Sequence, residues 1–282
     1  MALEFRPLTQ ALGAEVLGVD LSREQPPAVM EQIARAWERY AMLVFRDQQL
    51  APDDQRRFVS FFGEFQAPRA GPRKGEDTMF IGNVEVDGLP SDLPNGEMWF
   101  HQDGCYTEKP TKQSFLYALE IPSQGGNTKF ASTARAYAQL PAELRERLLD
   151  YEIRFNFDYT SVVRTETFTG PQYTHPIVIA HPLTGVPLLF CNRLTADAIV
   201  GLPQAESDAL IAQLCDELER EDNVVEHVWR VGDLVIWDNL ATAHARTDFD
   251  SRERRLLRRM TTRGSKPAAY RSAYTAAGLR LA

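Results

Sequence analysis

Two histidines and an aspartate are the side chains of this sequence best suited to hold a metal ion together. His101 and Asp103 flank Gln102 in an H-x-D sequence, and His244 follows much later, after an apolar run at 234–237. Alternate residues of an extended segment face the same way, so His101 and Asp103 can face one point. Two histidines and one carboxylate leave open positions on Fe(II) for a co-substrate and O₂. Hydrolytic zinc sites use the same residue types, so the ligands alone do not choose the metal.

Two arginines that follow His244 bear on that choice. Arg255 and Arg259 are four residues apart, and they share a face if this stretch is extended. A guanidinium group that faces a cavity is costly to desolvate unless an anion binds there. A dicarboxylate co-substrate would supply that anion, which favours oxidative chemistry over hydrolysis. A solvated basic edge strand is the alternative interpretation of the same residues.

These candidate residues lie in a sequence that is rich in short strands. Apolar and polar residues alternate in many runs, as in strands with one face in water. The predicted strands cover residues 15–19, 41–45, 78–81, 113–121, 152–159, 176–180, 187–190, 224–230, 233–237 and 255–262. Helical spacing predicts helices over 27–40, 52–62, 133–149 with a break at Pro141, and 202–221. Strands and helices do not alternate regularly, which favours a mainly β (α+β) protein, a sandwich or jelly roll with surrounding helices.

Composition places the chain among ordinary globular proteins. Its 282 residues include 31 Lys and Arg against 39 Asp and Glu, a net charge of −8, and 44% are hydrophobic. This balance excludes disordered, collagen-like and coiled-coil classes and argues against nucleic acid or membrane as the main partner. Its three cysteines form no C-x-x-C pair, so neither a disulfide framework nor a zinc–thiolate site is expected. No signal-peptide or membrane-spanning run occurs, and we expect one cytoplasmic domain over 1–282.

Several longer motifs, spread over nearly the whole chain, resemble one known family. They lie at 13–21 (GAEVLGVDL), 43–48 (LVFRDQ), 62–64 (FGE), 99–103 (WFHQD), 122–128 (PSQGGNT), 201–203 (GLP) and 232–239 (GDLVIWDN). The chain resembles the Fe(II)/2-oxoglutarate-dependent dioxygenases of the taurine dioxygenase and 2,4-dichlorophenoxyacetate dioxygenase type. The resemblance implies a double-stranded β-helix, the cupin-like jelly roll. It also implies that Fe(II), 2-oxoglutarate and O₂ are used to oxidise, most simply to hydroxylate, a small organic substrate, with release of succinate and CO₂.

The resemblance assigns roles to individual residues. His101, Asp103 and His244 match the iron ligands of the family, and Thr128 matches a residue that hydrogen-bonds 2-oxoglutarate. Arg255 matches the arginine that pairs with the distal carboxylate, for which a bidentate guanidinium suits better than a lysine. Arg259 matches a second arginine, which faces either the acidic group of the substrate or 2-oxoglutarate.

The substrate site is expected to differ from that of the taurine enzymes. Pro68 and Glu97 stand where those enzymes place a histidine and an asparagine, which argues against taurine. The stretch 66–98, rich in Gly and Pro, predicts a lid over the substrate; a plain surface excursion is the alternative. The candidate substrate contacts are Arg259, Tyr106, Glu97 and Gln102, and Arg259 favours a small acid. The resemblance also implies a dimer or tetramer.

Two other classes of protein remain compatible with the residues alone. A zinc-dependent hydrolase would use the same three ligands without needing paired arginines, and a non-catalytic jelly-roll binding protein would keep the fold without turnover. Of the remaining histidines, His175 and His181 are expected to be structural residues at strand ends. His227 lies in an alternating strand and is expected to be exposed.

Overall fold

The computed structural model describes residues 3–69, 71–157 and 170–271, in which strands predominate. The strands are β1 (Glu4–Pro7), β2 (Ala14–Leu17), β3 (Met42–Phe45), β4 (Met79–Gly82), β5 (Met98–His101), β6 (Gln113–Glu120), β7 (Thr128–Ser132), β8 (Glu152–Asn156), β9 (Gln172–Pro176), β10 (Val178–Ala180), β11 (Pro187–Leu189), β12 (Ala196–Ile199), β13 (Val224–His227), β14 (Leu234–Asp238), β15 (Thr242–Arg246), β16 (Leu256–Thr262) and β17 (Ala268–Ala269). The helices are α1 (Pro27–Tyr40), α2 (Pro52–Ser60), α3 (Thr133–Gln139), α4 (Ala142–Leu148) and α5 (Gln204–Leu218), with a 3₁₀ helix at Glu221–Asn223.

The helices begin and end where local chemistry predicts. Pro27 opens α1, and the helix buries Ile33 and Trp37 before Ala41 ends it in the left-handed region at φ 59. Pro141 separates α3 from α4, as expected, because proline has no N–H to continue a helix. Within the described residues, no helix is long and apolar enough to cross a membrane.

Two sheets that face each other form the framework. The larger sheet has the order β1-β2-β3-β14-β6-β16-β4, and the smaller has the order β13-β7-β15-β5. Phe130 of β7 packs in one buried cluster with Val235 and Trp237 of β14, so the inner faces of the two sheets share a core. This arrangement confirms the predicted mainly β fold of the jelly-roll type.

The strands of this framework carry the candidate residues. His101 ends β5 and His244 lies in the adjacent β15, where the two are cross-strand partners. Thr128 begins β7, on the other side of β15, while Arg259 lies on β16 of the larger sheet. The stretch 66–98 contains β4, which pairs with β16, so the middle of the predicted lid is part of the sheet and its flanks are loops. The predicted strand at 152–159 ends at Asn156, and its last two residues lie outside the described residues.

Candidate active site

His101, Asp103 and His244 meet at one point between the two sheets. Their candidate ligand atoms all lie within 4.8 Å of one another, and the two imidazole rings are 4.1 Å apart between centroids. Asp103 Oδ1 is 3.8 Å from His101 Nε2, and Asp103 Oδ2 is 3.7 Å from His244 Nε2. These distances are too long for hydrogen bonds but short enough for one ion to contact all three residues.

The protonation states of these residues suit a metal ion. His101 Nδ1 lies 2.9 Å from the Trp99 carbonyl oxygen; a carbonyl only accepts, so Nδ1 carries the hydrogen and Nε2 presents its lone pair. Burial lowers the pKa of His101 and, more strongly, that of His244. Burial alone would raise the pKa of Asp103, but the Arg259 guanidinium and the two histidines lower it to about 2. Neutral imidazoles and an ionised carboxylate are the forms that bind metals.

Asn239 ties the two ligand-bearing segments together. Its Oδ1 accepts from the Asp103 backbone N–H at 2.7 Å, and its Nδ2 donates to the Asp103 carbonyl at 2.9 Å. Asp238 Oδ1 accepts from two backbone N–H groups, those of Leu240 and Ala241, and so shapes the turn that leads to His244. The link from Asn239 to Asp103 is not visible in the sequence, because the two residues lie far apart along the chain.

A small cavity of about 70 Å³ beside the three residues contains the candidate co-substrate contacts. Thr128, Arg255 and Arg259 all line it, together with His101, Asp103 and His244. Arg255 is 1% exposed and donates through Nε and Nη2 to the Gly126 carbonyl, while its Nη1 has no hydrogen-bond partner among the described residues. Burial, and then the nearby charge of Arg246, lower the pKa of Arg255 to about 9. A bound carboxylate would satisfy Nη1 and offset that burial.

Arg259 faces the metal-ligand candidates directly. Its Nη2 forms an ion pair with Asp103 Oδ2 and donates to Ser114 Oγ at 2.9 Å. It lines both the small cavity and a larger neighbour. The position therefore suits contact with either 2-oxoglutarate or the substrate, the same two roles that the resemblance implies.

The larger cavity, about 210 Å³, adjoins the same centre and has the features of a substrate pocket. Tyr106 lines it and stacks on Phe157 at 5.0 Å between ring centroids. Gln102 also lines it, with its Oε1 accepting from Asn192 Nδ2 at 2.9 Å. Both flanks of the 66–98 segment contribute lining residues, which are Gln66, Ala67, Pro68, Arg69, Gly71, Asp77, Asp92, Leu93 and Met98.

Glu97 lies elsewhere. It is exposed and lines a separate cleft with Lys129 and Arg193, outside the two cavities that contain the metal-ligand candidates. The position of Glu97 gives no support to a contact with the substrate.

His227 is buried, so the expectation that it is exposed was wrong. It is 3% exposed, and its Nε2 hydrogen-bonds Asp233 Oδ2 at 3.1 Å. Val225 and Trp229 are buried on the same face, whereas Val228 is exposed. The alternation was real, but it places His227 on the apolar face. His175 and His181 are buried at strand ends, as expected.

Sequence reasoning missed two further residues beside the site. Trp229 donates from Nε1 to Thr128 Oγ1 at 3.0 Å. Arg246 lines the small cavity and donates to the carbonyls of Leu93, Asn95 and Gly96, at the end of the 66–98 segment. Arg246 stands two residues after His244, a spacing that places it on the same strand, but its acceptors are backbone groups that leave no pattern in the sequence.

Comparison with known proteins yields one family. Residues 4–261 match the model described as taurine catabolism dioxygenase TauD, TfdA family. The chain is 32% identical to an alpha-ketoglutarate-dependent sulfate ester dioxygenase of Pseudomonas putida, covering 95% of this chain and 91% of that protein. It is also 32% identical to an (S)-phenoxypropionate/alpha-ketoglutarate-dioxygenase of Sphingobium herbicidovorans, covering 91% and 93%. Among solved structures, a taurine dioxygenase from Burkholderia xenovorans superposes with a TM-score of 0.82 at 28% identity, over 95% of this chain and 92% of that one.

Proposed function

Because the chain belongs to the TauD, TfdA family of dioxygenases, we propose that His101, Asp103 and His244 are its iron ligands and that Thr128, Arg255 and Arg259 contact 2-oxoglutarate. The protein is an Fe(II)- and 2-oxoglutarate-dependent dioxygenase that acts on a small organic substrate. Family membership sets aside the zinc-dependent hydrolase and the non-catalytic binding protein.

When bound, Fe(II) would supply the chemistry of the family, in which 2-oxoglutarate, O₂ and the substrate give succinate, CO₂ and the oxidised substrate, with one oxygen atom entering succinate and the other the substrate. The residues of this chain bind and orient the reactants. The lowered pKa values of His101 and His244 keep both imidazoles neutral, and Asn239 fixes the backbone of Asp103. Ser114 and Arg259 hold Asp103 Oδ2, which leaves Oδ1 on the side of His101.

One observation carries the co-substrate assignment: a buried arginine, Arg255, lines the cavity of the three ligand candidates, and its Nη1 has no hydrogen-bond partner in the described part of the chain. An isolated buried cation is costly, and a dicarboxylate in this cavity would face both the metal-ligand candidates and this guanidinium. Thr128 lines the same cavity and adds a hydroxyl group.

The substrate is, in our proposal, a small organic anion with an apolar body. Met79, Leu93, Met98 and Leu194 supply apolar lining in the larger cavity, while Arg69 and Arg259 supply positive charge. The named substrates of the two relatives, a sulfate ester and phenoxypropionate, support this class. Tyr106 and Gln102 are the proposed neighbours of the apolar body, and the flanks of the 66–98 segment act as its lid.

The first test is succinate formation by the purified chain. We expect succinate to form only when Fe(II), 2-oxoglutarate and O₂ are all present, and His101→Ala to reduce the rate by at least about a hundredfold because it removes a metal ligand. His175→Gln, at a buried histidine outside the two cavities, should keep the rate. Equal rates with Zn(II), or an unchanged rate in His101→Ala, would contradict the assignment.

Adding small carboxylates, sulfonates and sulfate esters one at a time would then identify the substrate class, since the true substrate should accelerate succinate release.

Organisation as a single domain over 1–282 and assembly into a dimer or tetramer stay predictions. Limited proteolysis of the full chain can check the first, and light scattering can check the second.

A further inference from the structure

The wall of the co-substrate cavity contains a hydrogen bond that the proposed function does not use. Trp229 Nε1 donates to Thr128 Oγ1 at 3.0 Å. Both side chains are only 4% exposed, so water does not compete for this bond. Thr128 lines the cavity beside Arg255.

The chemistry of the two groups fixes the direction of this bond. An indole N–H can only donate, so the Thr128 hydroxyl oxygen must accept. The hydroxyl hydrogen then points away from the indole, and within the described residues no protein acceptor is found for it. Thr128 is thereby set as a donor, which is the role that a carboxylate oxygen in the cavity requires.

The surroundings hold the indole in place. Trp229 packs in the buried cluster that includes Phe130 and Trp237. The edge of the neighbouring His227 ring lies against it, with 4.5 Å between centroids. His227 is itself fixed by Asp233 and, through the β13–β7 pairing, stands directly opposite Thr128. The acceptor therefore lies on β7, opposite the last residue of β13, and the donor follows two residues after that strand ends.

We propose that Trp229 is a positioning residue for the co-substrate: its indole N–H orients the Thr128 hydroxyl so that this hydroxyl donates to a carboxylate of 2-oxoglutarate. This inference rests on the proposed function, because it takes the small cavity to be the 2-oxoglutarate site. It adds a residue that never touches the co-substrate and acts only through Thr128.

A double-mutant cycle tests the inference. The full chain, loaded anaerobically with Fe(II), is titrated with 2-oxoglutarate in a calorimeter for the wild type, Trp229→Phe, Thr128→Val and the double variant. We expect Trp229→Phe to weaken binding about fivefold and Thr128→Val about tenfold, the size of one hydrogen bond to a charged group. The double variant should bind within about twofold of Thr128→Val, because Trp229 acts through the hydroxyl that is already absent.

Trp37→Phe is the matched control. Trp37 is also a buried indole, its N–H has no partner among the described residues, and it belongs to another core cluster. It should lose similar packing and keep wild-type affinity. Trp229→Met also lacks the N–H donor but fills the space differently. It serves as the second test variant in case Trp229→Phe does not fold.

Three outcomes would overturn the inference. Wild-type affinity in both Trp229 variants would do so, as would fully additive losses in the double variant or an equal loss in Trp37→Phe. Absence of any 2-oxoglutarate binding by the wild-type chain would overturn the proposed function itself, and with it this role of Trp229.

Discussion

The burial of Arg255 indicates which kind of ligand binds in the small cavity. Its guanidinium lies in the core, yet among the described residues it donates only to the Gly126 carbonyl. Phe249 covers one side, 5.7 Å from the guanidinium carbon. Gly126 sits so close that a side chain there would collide with Arg255 Nε at 2.9 Å, so glycine is needed for the approach. Arg255 is therefore held in place by close contacts, and none of the ion pairs between described residues gives it a counter-charge.

We therefore predict that Arg255→Lys raises the KM for 2-oxoglutarate by about ten- to a hundredfold. Lysine keeps the positive charge, but it cannot donate to the Gly126 carbonyl and to a carboxylate from one planar group. The free energy of binding 2-oxoglutarate should therefore weaken by about 1.5–3 kcal/mol. Initial rates of succinate release at varied 2-oxoglutarate would measure this.

Arg258→Lys is the control for the Arg255 substitution. Arg258 is also buried and lies three residues further on, in β16, but it donates to Gln55 and the Leu50 carbonyl and lines neither cavity. An equal rise in KM for both variants would mean that the effect comes from damage to β16 rather than from the ligand contact.

The sequence predicted the ligand candidates because their chemistry is carried by side-chain type and spacing. His101 and Asp103 are close in sequence, and Arg255 and Arg259 stand at strand spacing from each other. Asn239 and Arg246 act on backbone groups more than a hundred residues away. Such contacts depend on which strands become neighbours, and that information is not local in the sequence.

At the scale of elements, the apolar patterns identified six of the seven strands of the larger sheet, all but β1, and missed three of the four strands that form the smaller one, β5, β7 and β15. β6, β14 and β16 show apolar runs and lie near their predicted limits. β15 reads Thr-Ala-His-Ala-Arg and is buried on both faces, and its apolar positions are only alanines, which do not mark an apolar face in the sequence. β7 is likewise a short mixed segment, and its pairing with β13 and β15 makes it a strand.

Arg246 links β15 to the end of the 66–98 segment. Its guanidinium holds the carbonyls of Leu93, Asn95 and Gly96 at 2.6–3.1 Å. Leu93 adopts a left-handed conformation, φ 54, that is unfavourable for a leucine. It also lines both cavities, so it forms part of the wall between them. The hydrogen bonds of Arg246 offset the strain at this position.

We predict that Arg246→Lys loosens this wall. Lysine cannot span three carbonyls, so backbone amides of residues 93–98 should exchange with deuterium about tenfold faster. Succinate formed without added substrate should also rise as the two cavities become less separated. Hydrogen exchange with mass spectrometry measures the first effect and succinate release the second.

Arg57→Lys provides the comparison for Arg246. Arg57 also donates to two backbone carbonyls, those of Leu21 and Ser22, far along the chain from the lid. Unchanged exchange at 93–98 in Arg246→Lys, or the same change in Arg57→Lys, would show that Arg246 does not support the wall.

For the whole molecule, net charge and interior charge have opposite signs. The chain carries −8, yet Arg246, Arg255 and Arg258 are buried in its interior, and the described ion pairs omit all three. The acidic surface therefore says nothing about the ligand, whereas Arg246 and Arg255, the two of these cations that line the small cavity, predict an anionic one. Burial also lowers the pKa of histidines such as His175 and His227, and this makes the stability of the fold depend on pH.

His175 is suited to isolate that dependence, because it lies outside the proposed ligand set. Its Nε2 hydrogen-bonds the Thr107 carbonyl at 2.9 Å, and burial lowers its pKa below the ordinary 6.5. The unfolded chain therefore binds a proton that the folded chain does not. The contribution of His175 to the free energy of unfolding is fully present above pH 6.5. It is lost as the pH falls from 6.5 towards the lower folded-state pKa, by up to about 1.4 kcal/mol per pH unit.

We predict that His175→Gln, whose amide can still donate to Thr107, has a shallower loss of unfolding free energy between pH 7.5 and 5.5. Urea unfolding of the metal-free chain at several pH values gives the slopes, and the other histidines cancel because they are present in both proteins. Lys74→Gln, an exposed substitution, should leave the slope of the wild type unchanged. Parallel curves for wild type and His175→Gln would mean that His175 takes up its proton equally in both states, and that its burial does not set the acid limit of this fold.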